Sequence, residues 1–444
     1  MKKIGILVVA FTVLSCAKTE FEEYETTSGN ADFTNYVAVG NSLTQGYQDG
    51  GLHNEHGQQE SSYPSIIAKQ MKLANPNLVF IQPTVPGNGS GYMHLEYVNG
   101  KIKVIKAFDS EITTNDPSAI DDDPTWSFWG QKGNLGDSSL SYNNMGMSGV
   151  KLVDCLSGGK NTDLNFNLLK NSLNEYGRFL NFGDGANPIS YLYHIKVSKA
   201  TFFTCWLGNN DVLGWSTNGG DDGPVIDPNG ISVPGLYLSQ LSDLDEFSNK
   251  YDSVLTAFSN MGAKGVCATL PDVTSIPYFN TVTLDAIGDD VWIREGADTN
   301  VVRKATEEDL LLLTASDELA NGLGKIQSKP LKHTVVLDKD EIAIVQNRTN
   351  EINAAIRTLT YQHGFALADM NQFMKTLTNT GLSFDGVDFS PTYIEGGLFS
   401  LDGVHPNSRG YAVIANEFIR VINGFYGSNL QTVSVGNYRG ITFP

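Results

Sequence analysis

The chain has 444 residues, 41% of them hydrophobic and 10% aromatic, which is ordinary globular composition and sufficient for one large core or two domains. Thirty basic residues stand against 49 acidic ones, a formal net charge of −19, and a surface of that sign repels polyphosphate and argues against nucleic acid as a partner.

Lys2-Lys3, the apolar run Ile4 to Leu14 and then Ser15-Cys16 have the three regions of an export signal, and the run is too short to span a bilayer comfortably. Val13-Leu14-Ser15-Cys16 resembles a bacterial lipobox, which implies a signal peptide over 1–15 and a lipid on Cys16; an ordinary secretory cleavage site is the plainer alternative. The expected setting is an exported lipoprotein at the outer membrane or cell surface. Residues 16–35 read as a tether, since "AKTEFEEYETTSGNADFT" is polar and acidic without a period. Cys155, Cys205 and Cys267 are odd in number and form no C-x-x-C pair; Cys205 and Cys267 lie in apolar runs and read as buried thiols, so neither a cysteine metal site nor any other metal or cofactor is expected.

"YVAVGNSLTQGY", residues 36–47, is a strand ending on Ser42, which is either a turn or cap serine or a nucleophile at a strand end. "SSYPSIIAKQMKL" starts a helix, and "LEYVNGKIKVIK" is a hairpin turning at Asn99-Gly100. Residues 107–142 show no period and read as loop, and Leu164 to Leu180 follow a helical face. "KATFFTCWLG" and "GVCATLPDV" are strands buried on both faces, separated by a helix from about Ser242 to Met261. A helix opens at Asp338 with a capping box to Glu341 and stops at Gly364. "FALADM" is a strand, and the last helix runs from about Ser408 to Ile422. This alternation predicts a parallel sheet covered on both faces. Residues 274–336 interrupt it and read as a cap or lid containing a short helix in "TEEDLLLLTASDEL", and 427–444 as a C-terminal tail.

In an open α/β sheet, ligands collect at the carboxyl ends of strands. There stand Ser42, the loop Asn144 to Gly149, Gly208-Asn209-Asn210-Asp211, and Asp402 with His405 three residues on. These are the residue types acyl transfer needs. A serine hydroxyl requires a base, histidine suits that near neutral pH, and its second nitrogen requires an acceptor such as Asp402. Gly149 N–H and the Asn210 amide are candidate oxyanion donors.

Four such blocks in this order resemble the SGNH, or GDSL, hydrolase family, with three of the four GDSL letters in Gly40-Asn41-Ser42-Leu43. The resemblance implies a flavodoxin-like three-layer α/β/α sandwich over 36–426, with a central parallel sheet and large loop insertions. It also implies Ser42 as nucleophile, the Asp402–His405 pair as base, and an oxyanion hole of Ser42 N–H, Gly149 N–H and the Asn210 side chain. Asn41 stands where the family usually has aspartate, which is expected to alter local hydrogen bonding rather than the chemistry. The expected activity is hydrolysis of a carboxylic ester, with acetate on a glycan or a fatty chain on a lipid as the acyl group; the other reading is an inactive surface lipoprotein that binds glycan. Trp215 and Tyr47 serve either sugar stacking or the core, and Trp206 reads as core. The acidic stretches Asp121-Asp122-Asp123 and 218–230 lack the liganding register of an EF-hand and read as solvated loop, and the remaining histidines as surface or packing residues.

Overall fold

The computed structural model describes residues 25–84, 91–107, 142–152, 190–223, 225–226, 232–233, 239–296 and 300–444. Strand β1 (Tyr36–Gly40) runs directly into the one-turn helix α1 (Ser42–Gln45), and helix α2 (Tyr63–Ala74) carries a proline in its first turn. The hairpin β2 (Tyr92–Val98) and β3 (Lys101–Ala107) turns at Asn99-Gly100, both at positive φ (52° and 79°), as a two-residue hairpin requires. Strand β4 (Phe202–Trp206) leads to helix α3 (Asn210–Thr217); helix α4 (Leu244–Asn260) leads to β5 (Lys264–Ala268). Helix α5 (Lys339–Gln362) has the capping box between Asp338 and Glu341, and strand β6 (Ala366–Ala368) and helix α6 (Ser408–Tyr426) complete the body.

Among the described residues β1, β4, β5 and β6 form one parallel sheet in that order. At the outer edge of β1, Asn143 to Met145 adds a short parallel pairing: Ala38 N–H donates to Asn143 O and Met145 N–H to Ala38 O, each 2.8 Å. Counting that segment second in chain order, the lateral order is 2-1-3-4-5, the flavodoxin-like arrangement. Helices α2 and α6 pack together on one face and α4 with α5 on the other, giving three layers. The chain leaves β1 toward one edge and returns to the other side of it at β4. This reversal opens a crevice at the carboxyl ends of β1 and β4.

β1 and β4 are buried at every position, which is why they read as unbroken apolar runs. Phe203 stacks on Phe258 with ring centroids 3.9 Å apart and meets Phe365 edge-on at 4.8 Å. Trp206 is 3% exposed, donates Nε1–H to Thr269 O at 3.1 Å and packs against Tyr63 and Phe418, so it is core. Each such side chain contributes about 1.5–3 kcal/mol on burial. Cys205 and Cys267 are buried free thiols, and burial pushes both pKa values up.

The segment 274–336 has its own small core of Val291, Ile293, Leu311, Ala315, Leu331, Val335 and Val336. The short helix expected in "TEEDLLLLTASDEL" is displaced. Leu310–Leu311 instead pairs with Val336–Leu337 as a two-residue ladder, and the helix occupies only Ala315–Ala320. Cross-strand pairing with a distant apolar segment outweighs the local helical preference of leucine. The end of the stretch read as tether lies against the body: Asn30 N–H donates to Tyr426 O, and Phe33, 1% exposed, meets Phe202 edge-on at 5.0 Å. In the C-terminal segment, Leu430 and Val435 are buried. Cys16, Cys155, Asp121 to Asp123, the helix expected over Leu164 to Leu180 and most of the loop expected over 107–142 lie outside the described residues.

Candidate active site

Asn41, not Ser42, caps α1. Its Oδ1 accepts from Leu43 N–H at 3.1 Å and its carbonyl from Thr44 and Gln45 N–H, so Ser42 is the first helical residue. The first N–H groups of a helix have no partner within it, and the Ser42 N–H is one of them. Ser42 is 6% exposed, with its Oγ 2.8 Å from His405 Nε2. His405 Nδ1 is 2.8 Å from Asp402 Oδ2, so hydroxyl, ring and carboxyl form one continuous chain. These atoms meet across 363 residues of sequence.

Asp402 accepts at Oδ1 from Ser400 Oγ–H and from the N–H groups of Val404 and His405, and at Oδ2 from Gly50 N–H as well as the ring. Burial would raise its pKa, but the charge of His405 and the hydrogen bonds from His405 and Val404 outweigh that and hold the carboxyl at about 2. It is therefore an anion at any pH where histidine acts as a base. His405 sits just ahead of α6, which begins at Ser408 with Asn407 as its cap; Pro406 precedes that cap. The Tyr47 ring lies 4.6 Å from the imidazole, placing it beside His405 rather than in the core.

The second group of expected residues meets at the neighbouring strand end. Gly149 is exposed and left-handed at φ 77, and Asn210 Nδ2 donates to the adjoining Val150 O at 2.9 Å. That bond uses one of the two amide hydrogens and fixes the plane of the other. The loop carrying Gly149 is held against the turn that carries Ser42. Gln45 Oε1 accepts from Ser148 N–H and Oγ–H, Asn144 Nδ2 donates to Thr44 O, and Met147 N–H donates to Gly40 O. Gly146 is required here, because a Cβ would lie 2.3 Å from Gln45 N. Asp211, fully buried, accepts at one oxygen from Leu152 N–H and at the other from Ser242 Oγ–H.

Gln45, Asn144, Asp211 and Ser400 are supports that reading the sequence did not single out. Asn144 and Asp211 were visible as the ends of the glycine block and the Gly-x-Asn-Asp block, whereas Gln45 and Ser400 carry no local pattern. In the stretch 218–230, Asp221 pairs with His333 at 2.9 Å. No group of three or more His, Cys, Asp or Glu side chains placed to hold a metal ion occurs among the described residues. No helix among them is long and apolar enough to cross a membrane.

Among solved structures, the chain is similar to the acetylxylan esterase Axe2 of Geobacillus stearothermophilus, at 12% identity over 89% of this chain and 96% of that one, with a TM-score of 0.35. It is also similar to LAE5, an α/β hydrolase from the metagenome of Lake Arreo, Spain, at 13% identity over 88% and 96%, TM-score 0.34. A third likeness is to an extracellular lipase of Streptomyces rimosus, at 11% identity over 88% and 99%, TM-score 0.33. No curated protein sequence matches it. The sequence model of the GDSL-like Lipase/Acylhydrolase family matches residues 36–418, which include every residue of both groups described above. The chain belongs to the GDSL-like lipase/acylhydrolase family.

Proposed function

We propose that the chain is a serine carboxylic-ester hydrolase with Ser42 as nucleophile. The observation that carries this reading is the unbroken chain from Ser42 Oγ through His405 to Asp402, each link 2.8 Å. Ser42 Oγ attacks the ester carbonyl carbon while His405 Nε2 takes its proton. The ionised Asp402 holds the Nδ1 tautomer and stabilises the imidazolium. The tetrahedral oxyanion is met by Ser42 N–H, Gly149 N–H and the free Asn210 amide hydrogen. Collapse returns the proton to the departing alcohol and leaves an acyl-serine. Water, deprotonated by His405, then releases the acid and restores the serine.

The expected acyl groups are acetate on a glycan or a fatty chain on a lipid. Release of acetate from acetylated polysaccharide, compared with release of fatty acid from phospholipid, selects between them. Residues 36–426 form the hydrolase domain in this reading, with 274–336 as a cap insertion. Cleavage after Ser15 and a lipid on Cys16 attach the protein to the outer membrane or cell surface; mass spectrometry of the N-terminal peptide from a membrane fraction tests this.

The test of the activity is turnover of a short-chain nitrophenyl ester by wild type and by Ser42→Ala. The variant loses about a millionfold in kcat, and a phosphonofluoridate probe labels only the wild type. Equal labelling of both, or no turnover of any ester, overturns the reading.

A further inference from the structure

The loop after the nucleophile reaches the base of the triad by a second route. Gln48 and Gly51 exchange two backbone hydrogen bonds of 3.1 Å, and Asp49 and Gly50 between them lie at φ 55 and 72. This is the pattern of a type I′ turn, for which Asp-Gly is a favoured pair. Asp49 N–H donates to Ser400 Oγ at 2.9 Å and Gly50 N–H to Asp402 Oδ2 at 3.0 Å. Ser400 passes the first contact on by donating to Asp402 Oδ1 at 3.0 Å. In return, Asp49 Oδ1 accepts from Leu401 N–H at 3.0 Å. Turn chemistry accounts for the dipeptide, but not for a carboxyl closed against Leu401 and beside Asp402.

That carboxyl is 17% exposed. Burial foremost raises its pKa to about 7, with Asp402 adding to the rise and Leu401 N–H, Arg439 and His405 opposing it. The groups that face it are Asp402 and His405 from the triad loop, Arg439 from the C-terminal segment, His53 with Nε2 3.9 Å from Oδ2, and the phenols of Tyr92, Tyr393 and Tyr411. Asp49 also lines a cavity of about 230 Å³ with Gln48, Gln58, Tyr92 and Arg439.

We propose that Asp49 is a positioning residue of the triad: its side chain fixes the Ser400–Asp402 segment against the nucleophile's loop, and its ionised form adds a second carboxylate that stabilises the imidazolium formed on His405. The proposal rests on the esterase reading above. Its sign follows from the raised pKa. The carboxyl is neutral below about pH 7 and charged above it, so the electrostatic help is present on the alkaline side only.

Two variants separate the parts. Asp49→Asn keeps the turn and the acceptor for Leu401 but cannot ionise (it is assayed fresh, because Asn-Gly deamidates). Asp49→Gly keeps the turn and loses both. The deficit of Asp49→Asn in kcat on a nitrophenyl ester grows from small at pH 6 to about fivefold at pH 8.5. Asp49→Gly loses about tenfold in kcat at pH 6, where only positioning is lost, and its deficit then grows with pH by the same factor as that of Asp49→Asn, with KM within about twofold of wild type. An Asp49→Asn profile parallel to wild type overturns the proposal, as does wild-type kcat in Asp49→Gly. If Asp49→Gly does not fold, the Asp49→Asn profile alone decides. A wild type without turnover sinks the esterase reading and this proposal with it; an active wild type with both variants unaffected sinks this proposal alone.

Discussion

The sheet body gathers Tyr36, Phe203, Val266 and Ala366 from four separated strands into one aromatic-rich core, whereas the segment 274–336 closes seven small and branched aliphatic residues over two- and three-residue ladders. The body's contacts join distant parts of the sequence, whereas the segment closes those seven residues on one another and lends Ile276, Phe279 and Leu312 to the body's core. They meet beside the triad at Gly403, whose carbonyl accepts from Tyr278 N–H at 2.9 Å, while Leu313 N–H donates to Tyr278 O at 2.8 Å. The contrast assigns work. A body built from long-range pairings holds reacting atoms to fractions of an ångström, and a locally closed insertion can vary in shape without moving them. Substitutions in the body's strand ends are therefore expected to act on turnover, and substitutions in the insertion on its own stability and on the substrate it admits.

The sharpest test on the body side is Asp402→Asn. It keeps the shape but presents the wrong hydrogen-bonding partner to His405 Nδ1, and kcat is expected to fall about 10⁴-fold. The same variant has a signature in stability. Asp402 is held at about 2 when folded, below its ordinary value. Its contribution is fully present above that ordinary value and is lost as pH falls toward 2. Denaturant titrations from pH 5 to pH 2 are expected to show about 2 kcal/mol less acid sensitivity in Asp402→Asn than in wild type. A smaller loss, about 10²- to 10³-fold in kcat, is expected for Asn210→Ala with KM little changed. Equal losses in kcat for Asn210→Ala and for a Trp292→Ala change inside the insertion would erase the distinction between the two regions.

Much of the body was legible because its signals lie in short stretches of sequence, although its contacts do not. Residues 36–40 and 202–206 are apolar but for Thr204 because both faces are covered, and the box between Asp338 and Glu341 is a pattern of adjacent residues. Asp402 and His405 stand three apart and bond to each other, so the pair shows in the sequence. Ser42, by contrast, is joined to that pair by a bond that only the fold makes, and it was legible through the order of the four blocks. What stayed hidden depends on remote partners. Leu310–Leu311 is a strand because Val336–Leu337 lies beside it, and Asp49 matters through bonds to residues about 350 positions away. No periodicity marks such contacts.

On the insertion side, Leu331→Ala tests independence. Leu331 is fully buried, and its backbone bonds to both Trp292 and Arg294. Truncation is expected to cost the segment about 2–5 kcal/mol, read as faster hydrogen exchange across 282–336, with kcat within about twofold of wild type. A tenfold fall in kcat instead means that the Tyr278–Gly403 contact transmits the damage, and the two regions then act as one.

Asn41→Asp carries the smallest expected effect and the finest test of the body. Asn41 is fully buried beside Ser42, and its Nδ2 has no hydrogen-bond partner among the described residues. The bond that shapes the turn is made by Oδ1, from Leu43 N–H, and a carboxylate makes the same bond. Aspartate removes an unpaired donor, which costs about 1–3 kcal/mol when buried, and introduces a charge at a helix N-terminus, where the dipole favours it. Against this stands the desolvation of that charge in a buried site. These contributions oppose one another and leave Ser42 Oγ in place, so kcat is expected to stay within about threefold of wild type. A hundredfold change in either direction means that the residue before the serine sets the charge balance of the triad, and the placement of Ser42 by backbone geometry alone is then insufficient.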